Sequence, residues 1–161
     1  MQNILIRSVE KHDLRLLDKA LRALSDELGD QHPASIEFLE QSGFGSTPAF
    51  YALIALNAKD TLCGAVVFSP VMSTTLATTG LYVSDLWVAH EARGCGLGKR
   101  LLRHATDVSY AKWGAKYLKL AVYDGLQRSH QFYNRLGLAE RQGETTMVLD
   151  KLGVEALRGE K

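Results

Sequence analysis

The sequence predicts an α/β protein with a single domain, in which about four helices flank a mixed, twisted sheet of six to seven strands. Segments with apolar residues at helical spacing alternate with short apolar runs typical of strands. Hairpin signals lie in the first half of the chain, and a β–α–β crossover lies in the second half. A chain of 161 residues with 46% hydrophobic residues is long enough for one sizeable core.

The first half is predicted to contain three strands and two helices. Residues 4–9 alternate weakly and predict a strand, and residues 11–28 carry leucines at steps of three and four, which predicts an amphipathic helix. Pro33 is suited to the entry of a short second helix. Residues 50–56 and 62–69 then read as two strands of a hairpin.

The second half is predicted to continue with a strand over 80–89, after a Thr-rich loop or sheet edge at 73–79. Gly114 ends the helix that follows this strand. The domain is expected to span residues 1–153, with residues 154–161 as a frayed tail. The remaining elements are a helix over 99–113, a strand over 117–123, a helix over 127–136 and final strands over 138–141 and 145–149.

Charge and targeting signals narrow the class of protein. Lys and Arg number 19 against 18 Asp and Glu, a formal charge of +1, so no global field favours nucleic acid or an anionic membrane. No signal-peptide pattern and no membrane-spanning apolar run occur, which predicts a soluble, cytoplasmic protein. Cys63 and Cys95 lack metal-ligand spacing and are expected to be reduced thiols.

A glycine loop with Arg93, Gly94, Gly96 and Gly98 joins the 80–89 strand to the next helix. Glycines allow a close approach of backbone N–H groups to a ligand, and a helix start adds unpaired donors and positive potential. The loop therefore predicts a phosphate or pyrophosphate site, with a plain surface turn as the alternative. It lacks the Gly-Lys-Ser/Thr of a P-loop and the later acidic residue of a dinucleotide fingerprint.

Two motifs in this order resemble those of the GNAT superfamily of acetyl-CoA-dependent N-acetyltransferases. Residues 93–98 match its Arg/Gln-x-x-Gly-x-Gly/Ala pyrophosphate loop, and residues 132–138 match its Phe-Tyr-x-x-x-Gly-Phe segment. A wider likeness, over most of residues 35–138, is to the diamine (spermidine/spermine) acetyltransferase branch. Residues 38–55, 82–88 and 120–128 carry it.

The resemblance implies the GNAT fold and acetyl-CoA as co-substrate, without a metal. The pantetheine arm is expected to pair like an extra strand with the main chain of Leu86, Trp87 and Val88. Ser129 occupies the small-residue position beside the cofactor, whereas Leu126 replaces the usual Asn. The pyrophosphate is expected at Arg93, Gly94, Cys95, Gly96, Leu97, Gly98, Lys99 and Arg100.

Tyr133 is the candidate general acid that the resemblance indicates, since the leaving thiolate of coenzyme A needs a proton. A general acid contributes about 10²–10⁴-fold to a rate. The alternative is a tyrosine that packs in the core with its hydroxyl hydrogen-bonded.

Asp85 is the candidate general base or amine anchor, because a carboxylate in an otherwise apolar strand is costly unless it is paired or hydrated. The alternatives are a strand-end cap, an ion pair with an arginine, or deprotonation of the amine by a water chain. The diamine branch has Glu-Asp where this chain has Ser84-Asp85. That departure puts both the base and a polyamine preference in question.

Asp26, Glu27 and Asp30 form an acidic cluster at the end of the first helix, suited to a cationic amine. The alternative is a solvated charged face. With Ser84 and Asp85, Asp26 and Glu27 are the candidate substrate-binding residues. No metal is expected, because the histidines lack ligand spacing: His12, His32, His90, His104 and His130.

The predicted activity is acetyl transfer from acetyl-CoA to the primary amine of a small cationic substrate, of polyamine, diamine or lysine-like class, by direct attack in a ternary complex. The alternatives are an aminoglycoside, amino acid or protein amine as acceptor, a non-catalytic acyl-CoA-binding domain, or a phosphate- or nucleotide-binding protein. The branch resembled is commonly dimeric through its terminal strands, so a homodimer is expected.

Overall fold

A computed structural model of the chain describes residues 3–159. These residues form two compact units, and the first ends at Tyr123 while the second begins at Asp124. The first unit contains a five-stranded sheet and three helices, and the second contains two short helices. The elements of the first unit are β1 (Leu5–Ser8), α1 (Leu14–Leu28), α2 (Ile36–Phe44), β2 (Tyr51–Leu56), β3 (Leu62–Ser73), β4 (Thr78–Val88), α3 (Leu97–Trp113) and β5 (Leu118–Leu120). Those of the second are α4 (Gln127–Arg135) and α5 (Lys151–Leu157).

The sheet has the strand order β1-β2-β3-β4-β5, with antiparallel pairing up to β4 and parallel pairing between β4 and β5. The mixed sheet is therefore confirmed. The Thr-rich segment does not interrupt it: β3 and β4 pair as far as Ser73 and Thr78, and the turn between them contains Ala77 at φ 49°.

Alternate residues of the central strands face different helices. Ala52 and Ile54 of β2 lie in one apolar cluster with Leu17 of α1. Gly64 of β3 lies on the other face of the sheet, where a Cβ added at this glycine would lie 3.0 Å from the side chain of Leu101 on α3. Because successive side chains of a strand point to opposite faces, α1 and α3 cover opposite faces of the sheet.

Helix starts differ from the sequence prediction by a few residues. α2 begins at Ile36 rather than next to Pro33, because the Ser35 side chain accepts a hydrogen bond from the Phe38 N–H at 3.1 Å and caps the helix. α3 begins at Leu97, two residues before the predicted start. Leu97 is 1% exposed, so its burial fixes the first turn of α3.

The prediction of six to seven strands was wrong in its count, since residues 3–159 form five. Residues 138–149 form no strand, and Gly143 turns the chain at φ 84°. A strand forms only where a neighbouring strand supplies partners for its main-chain hydrogen bonds. Met147 and Val148 are 90% and 86% exposed, and neither pairs with a strand in residues 3–159. β5 has three residues rather than the predicted seven.

The segment predicted as a tail, residues 154–161, includes the last four residues of α5. Asp150 caps this helix by accepting a hydrogen bond from the Gly153 N–H at 2.8 Å. The helix ends at Leu157, so residues 154–157 are helical. The limit of the domain at residue 153 stays a prediction.

Candidate active site

β4 parts from β5 in the middle of the sheet. The last parallel pair is Val83 with Leu120, and residues 84–88 of β4 have no strand partner on that side among residues 3–159. On the other side, Val67 pairs with Asp85 and Phe68 with Val83, which leaves Ser84 as a β-bulge. A bulge bends its strand and increases its twist, so it accounts for the parting of the two strands.

The unpaired edge of β4 is a template for an extended ligand. Leu86, Trp87 and Val88, the predicted partners of pantetheine, all lie in this stretch of β4 and are half-buried. The Ala89 N–H donates to the carbonyl of Cys63 on β3, and main-chain groups alternate in direction along a strand, so those of Trp87 face β3 whereas those of Leu86 and Val88 face the free edge. An extended chain that adds to a sheet edge gains main-chain hydrogen bonds. The carbonyl of Val88 already accepts one from Arg93 Nε, at 2.8 Å.

The glycine loop leads from this edge into α3 with its donors free. Gly94 and Gly96 both have φ +77°, a left-handed conformation that favours glycine. None of the backbone N–H groups of residues 94–99 donates to a backbone carbonyl within the described chain. Gly96 is the N-cap of α3 and supplies no side-chain cap, so the start of the helix is open to an anion.

Only one of the three basic residues at the loop has a side chain without a partner among residues 3–159. Arg100 donates to the carbonyl of Ile4 at 2.7 Å. Arg93 donates to both carboxylate oxygens of Glu27, each at 2.6 Å. Lys99 is exposed, and no described residue bonds to its ammonium group. Lys99 is therefore the basic side chain most available to a diphosphate.

Asp85 lies within β4, directly opposite Val67, and is half-exposed. Its carboxylate makes no hydrogen bond or ion pair with any residue of the described chain. The readings of Asp85 as a strand-end cap or an arginine partner are therefore wrong. The neighbouring Ser84 is exposed, and its hydroxyl donates to the carbonyl of Val67 at 3.4 Å.

The acidic residues at the end of α1 have separate partners. Glu27 pairs with Arg93 and also accepts from the indole N–H of Trp87, at 3.1 Å. Asp30 accepts from the hydroxyl of Tyr123 at 2.9 Å. Asp26 is exposed, and its carboxylate has no partner in the part of the chain that the structure describes. The cluster thus offers one unpaired carboxylate rather than three.

The sequence did not indicate the pair of Glu27 and Arg93, because 66 positions separate the two residues. Local spacing carries no information about such a contact. A signal was present in the opposite charges of the helix end and the loop, but it does not single out one acidic residue from its neighbours.

Tyr133 and Ser129 belong to α4 in the second unit, and both are half-buried. The ring of Tyr133 packs edge-on against Phe132, with 5.0 Å between the centroids. Burial raises the pKa of the Tyr133 hydroxyl from its ordinary value of 10.0. No described residue hydrogen-bonds this hydroxyl, so the alternative of a core tyrosine with a satisfied hydroxyl is not what the structure has.

Both cysteines are free, Cys63 buried and Cys95 exposed in the glycine loop. A cavity of ≈ 230 Å³ lies elsewhere, lined by residues such as Phe44, Tyr51 and Lys112. Within residues 3–159, no three His, Cys, Asp or Glu side chains are grouped to hold a metal, and no helix has the length and apolarity to cross a membrane.

Comparisons with known proteins confirm the resemblance. The model of the acetyltransferase (GNAT) family matches residues 15–138. Thialysine N-epsilon-acetyltransferase of Bos taurus is 30% identical over 154 residues, covering 89% of this chain and 90% of the relative.

Solved structures show the same fold. An integron cassette protein from the mobile metagenome of V. cholerae has a TM-score of 0.77 at 20% identity, covering 98% of this chain and 99% of that one. An aminoglycoside N-acetyltransferase in complex with CoA has a TM-score of 0.74 at 16% identity, covering 94% and 96%. With a family model that spans most of its length, this chain belongs to the acetyltransferase (GNAT) family and is an N-acetyltransferase.

Proposed function

We propose that the enzyme transfers the acetyl group of acetyl-CoA to the primary amine of a small cationic substrate of polyamine, diamine or lysine-like class. The observation that carries this proposal is the continuity of the unpaired β4 edge with a loop of free N–H groups. One molecule that needs both is a diphosphate with an extended amide-containing arm, which is the shape of coenzyme A.

The residues at the loop fit the diphosphate. A Cβ added at Gly94 or Gly96 would meet no atom within 4 Å, so the space above the loop is open on the side of the missing side chains. The N–H groups of residues 94–99 and the ammonium group of Lys99 supply the donors. The main chain of Leu86 and Val88 would pair with the pantetheine arm, and Ser129 would lie beside the cofactor.

The chemistry requires one proton to leave the amine and one to reach the sulfur. The amine nitrogen forms a bond to the thioester carbonyl carbon, and the carbon–sulfur bond breaks. We assign the proton donor for the thiolate to Tyr133, whose raised pKa keeps it protonated through neutral pH. The amine proton goes to Asp85 or, through it, to water.

Unpaired negative charge and the names of similar proteins support the proposed substrate class. Asp85 and Asp26 are carboxylates without partners in residues 3–159, and each suits an ammonium group. The name thialysine N-epsilon-acetyltransferase describes transfer to a terminal amine of a lysine-like molecule. Ser84, where the diamine branch has Glu, lowers the negative charge and favours a shorter or less charged amine than a polyamine.

Release of free thiol from acetyl-CoA, measured over a panel of amines, tests the proposal. The panel contains thialysine, lysine, short diamines, spermidine, an aminoglycoside and a peptide with a free N-terminus. Fastest turnover on a small amine with a side-chain or terminal ammonium group supports the proposed class. Tight acetyl-CoA binding without turnover on any amine indicates a binding domain, and equal competition by free nucleotides indicates a phosphate-binding protein.

We further propose that the chain forms a homodimer in the cytoplasm. Met147 and Val148 are 90% and 86% exposed, and Leu152 and Leu157 are 72% and 80% exposed, and apolar side chains of this kind suit an interface with a second copy. Light scattering of the wild type tests this, and Met147→Glu with Val148→Glu should give the monomer mass. A monomeric wild type at micromolar concentration contradicts the dimer.

A further inference from the structure

Glu27 joins three parts of the first unit at one carboxylate. It lies in the last turn of α1, and both of its oxygens accept from Arg93 Nη2 at 2.6 Å. One oxygen also accepts from the indole N–H of Trp87, at 3.1 Å. α1, the unpaired edge of β4 and the first residue of the glycine loop are therefore linked directly.

Arg93 is held at two points of its guanidinium group. Nη2 binds Glu27, and Nε donates to the carbonyl of Val88 at 2.8 Å. Val88 is the last residue of β4, and Arg93 precedes the left-handed Gly94. The side chain of Arg93 thus spans the corner where the strand ends and the loop begins, and Glu27 fixes the outer end of that span.

The same contacts leave Glu27 poorly placed to bind an amine. Both of its oxygens are already hydrogen-bonded, and its charge is matched by the Arg93 guanidinium. An ammonium group would have to compete with a charge-assisted pair. The neighbouring Asp26 and the strand residue Asp85 have no such partner within residues 3–159.

We propose that Glu27 is a positioning residue for coenzyme A rather than an amine anchor, and that it acts through Arg93. This inference rests on the proposed use of acetyl-CoA. Glu27 orders Arg93 and Trp87, and so fixes the corner between the backbone that would pair with pantetheine and the N–H groups that would bind the diphosphate. Without Glu27, the corner is ordered only when the cofactor binds. The free energy spent on this ordering weakens cofactor binding.

The expected effect is moderate, because the side chains of Arg93 and Glu27 are 43% and 45% exposed. Exposed ion pairs contribute little to binding or stability, but this one has charge-assisted geometry and a second donor, the indole N–H of Trp87. We expect Glu27→Ala to raise the Kd for coenzyme A about threefold to tenfold. In Glu27→Ala the unpaired Arg93 would also attract the diphosphate, which would raise the affinity for coenzyme A and oppose the expected loss. Measurement at 0.5 M salt screens this attraction.

A double-mutant cycle identifies the route of the effect. Coenzyme A binding is measured by calorimetry for wild type, Glu27→Ala, Arg93→Gln and the double variant. Gln occurs at the Arg93 position in the family motif, so Arg93→Gln keeps a tolerated loop. If Glu27 acts through Arg93, Glu27→Ala changes the Kd much less in the Arg93→Gln background.

Steady-state kinetics separate the proposal from the amine-anchor reading. We expect Glu27→Ala to raise the KM for acetyl-CoA and to leave the KM for the amine within twofold. Glu27→Gln, which keeps the size of the side chain, serves if Glu27→Ala does not fold. Glu40→Gln is the matched control, because Glu40 is an exposed helical glutamate paired with Lys11 at 3.1 Å. It should change neither KM.

Three results would overturn the proposal: an unchanged or lower Kd for coenzyme A in Glu27→Ala at 0.5 M salt, additive effects in the cycle, or a rise confined to the KM for the amine. A wild type that binds no coenzyme A overturns the proposed function instead. The two failures are thus distinguishable.

Discussion

Val83 and Leu120 form the last parallel pair between β4 and β5, and the extra residue Ser84 follows immediately in β4. The opening beside residues 84–88 is therefore made by strand pairing and a bulge, not by a particular side chain. Asp85 sits at the start of this opening, and the glycine loop follows its end. Substitutions at Ser84 or Asp85 should thus affect the amine, and substitutions in the loop should affect coenzyme A.

Gly96→Ala should weaken coenzyme A binding at least tenfold. Gly96 has φ +77°, so a Cβ adds about 1–2 kcal/mol of backbone strain and shifts the free N–H groups that follow. Gly114→Ala is the matched control, because Gly114 has φ +70° at the other end of α3. Both variants should lose similar stability in urea, and only Gly96→Ala should lose affinity in calorimetry. Equal affinities would remove the loop from the cofactor site.

Cys95 should be alkylated by iodoacetamide in the native protein, and coenzyme A should slow the reaction at least fivefold. Cys95 is exposed in the loop, whereas Cys63 is buried and burial raises the pKa of its thiol. Cys63 should therefore react only after unfolding. Peptide mass spectrometry at timed intervals measures both rates. A Cys95 rate that coenzyme A leaves unchanged would contradict a cofactor above this loop.

The fold was predictable from the sequence wherever a segment carries its own periodicity. The leucines of α1 and the apolar runs of β2 and β3 specify their elements locally, and these are found within a few residues of the prediction. Residues 138–149 are different, because their strand character depends on a partner that the second unit does not supply. The extension of β3 and β4 to Ser73 and Thr78 likewise depends on pairing rather than on composition.

The candidate site was predictable in its backbone parts and less so in its charges. The glycines of the loop predicted a tight turn with accessible N–H groups, and Gly94 and Gly96 adopt a left-handed conformation that few other residues adopt. The partners of Arg93 and Arg100 were not predictable, since Glu27 and the Ile4 carbonyl lie 66 and 96 positions away. Side-chain charges pair across the fold, and which of them stay free depends on contacts between residues that are far apart in the sequence.

Asp13→Asn should lower the free energy of unfolding by about 2–3 kcal/mol at pH 7. Asp13 is 2% exposed and accepts from Arg7 at 2.7 Å and from the Glu10 N–H at 2.9 Å. Breaking a fully buried pair costs about 3–5 kcal/mol, and the 30% exposure of the Arg7 side chain reduces that figure. Asp107→Asn, in an exposed pair with Arg103, should stay within about 0.5 kcal/mol.

The same pair gives a pH dependence of stability. The hydrogen bonds from Arg7 hold the pKa of Asp13 below its ordinary value of 3.8. A carboxyl group with a lowered folded-state pKa stabilises the protein fully above the unfolded-state value, and this contribution is lost as the pH falls below it. Urea unfolding between pH 5 and 2 should show a shallower pH slope in Asp13→Asn than in wild type. Parallel slopes would show that Asp13 does not contribute.

Tyr133→Phe should lower kcat about 10²-fold or more, with the Kd for coenzyme A within twofold. Because burial raises the pKa of Tyr133 above 10.0, the acid stays protonated as the pH rises, and kcat should fall only above that value. Tyr110→Phe, at a tyrosine 63% exposed on α3, is the control and should leave kcat unchanged. Wild-type turnover in Tyr133→Phe would exclude this hydroxyl as the acid.

Asp85→Asn should lower kcat/KM for the preferred amine at least tenfold and leave the Kd for coenzyme A unchanged, because its carboxylate has no partner among residues 3–159. A fall in kcat that higher pH partly restores identifies a base, since more of the amine then arrives neutral. A rise in the amine KM alone identifies an anchor for the ammonium group.

Ser84→Glu adds the charge that the diamine branch has beside Asp85, so it should shift preference towards amines with more positive charges. An amine profile that neither variant alters would place recognition and deprotonation away from this stretch of β4.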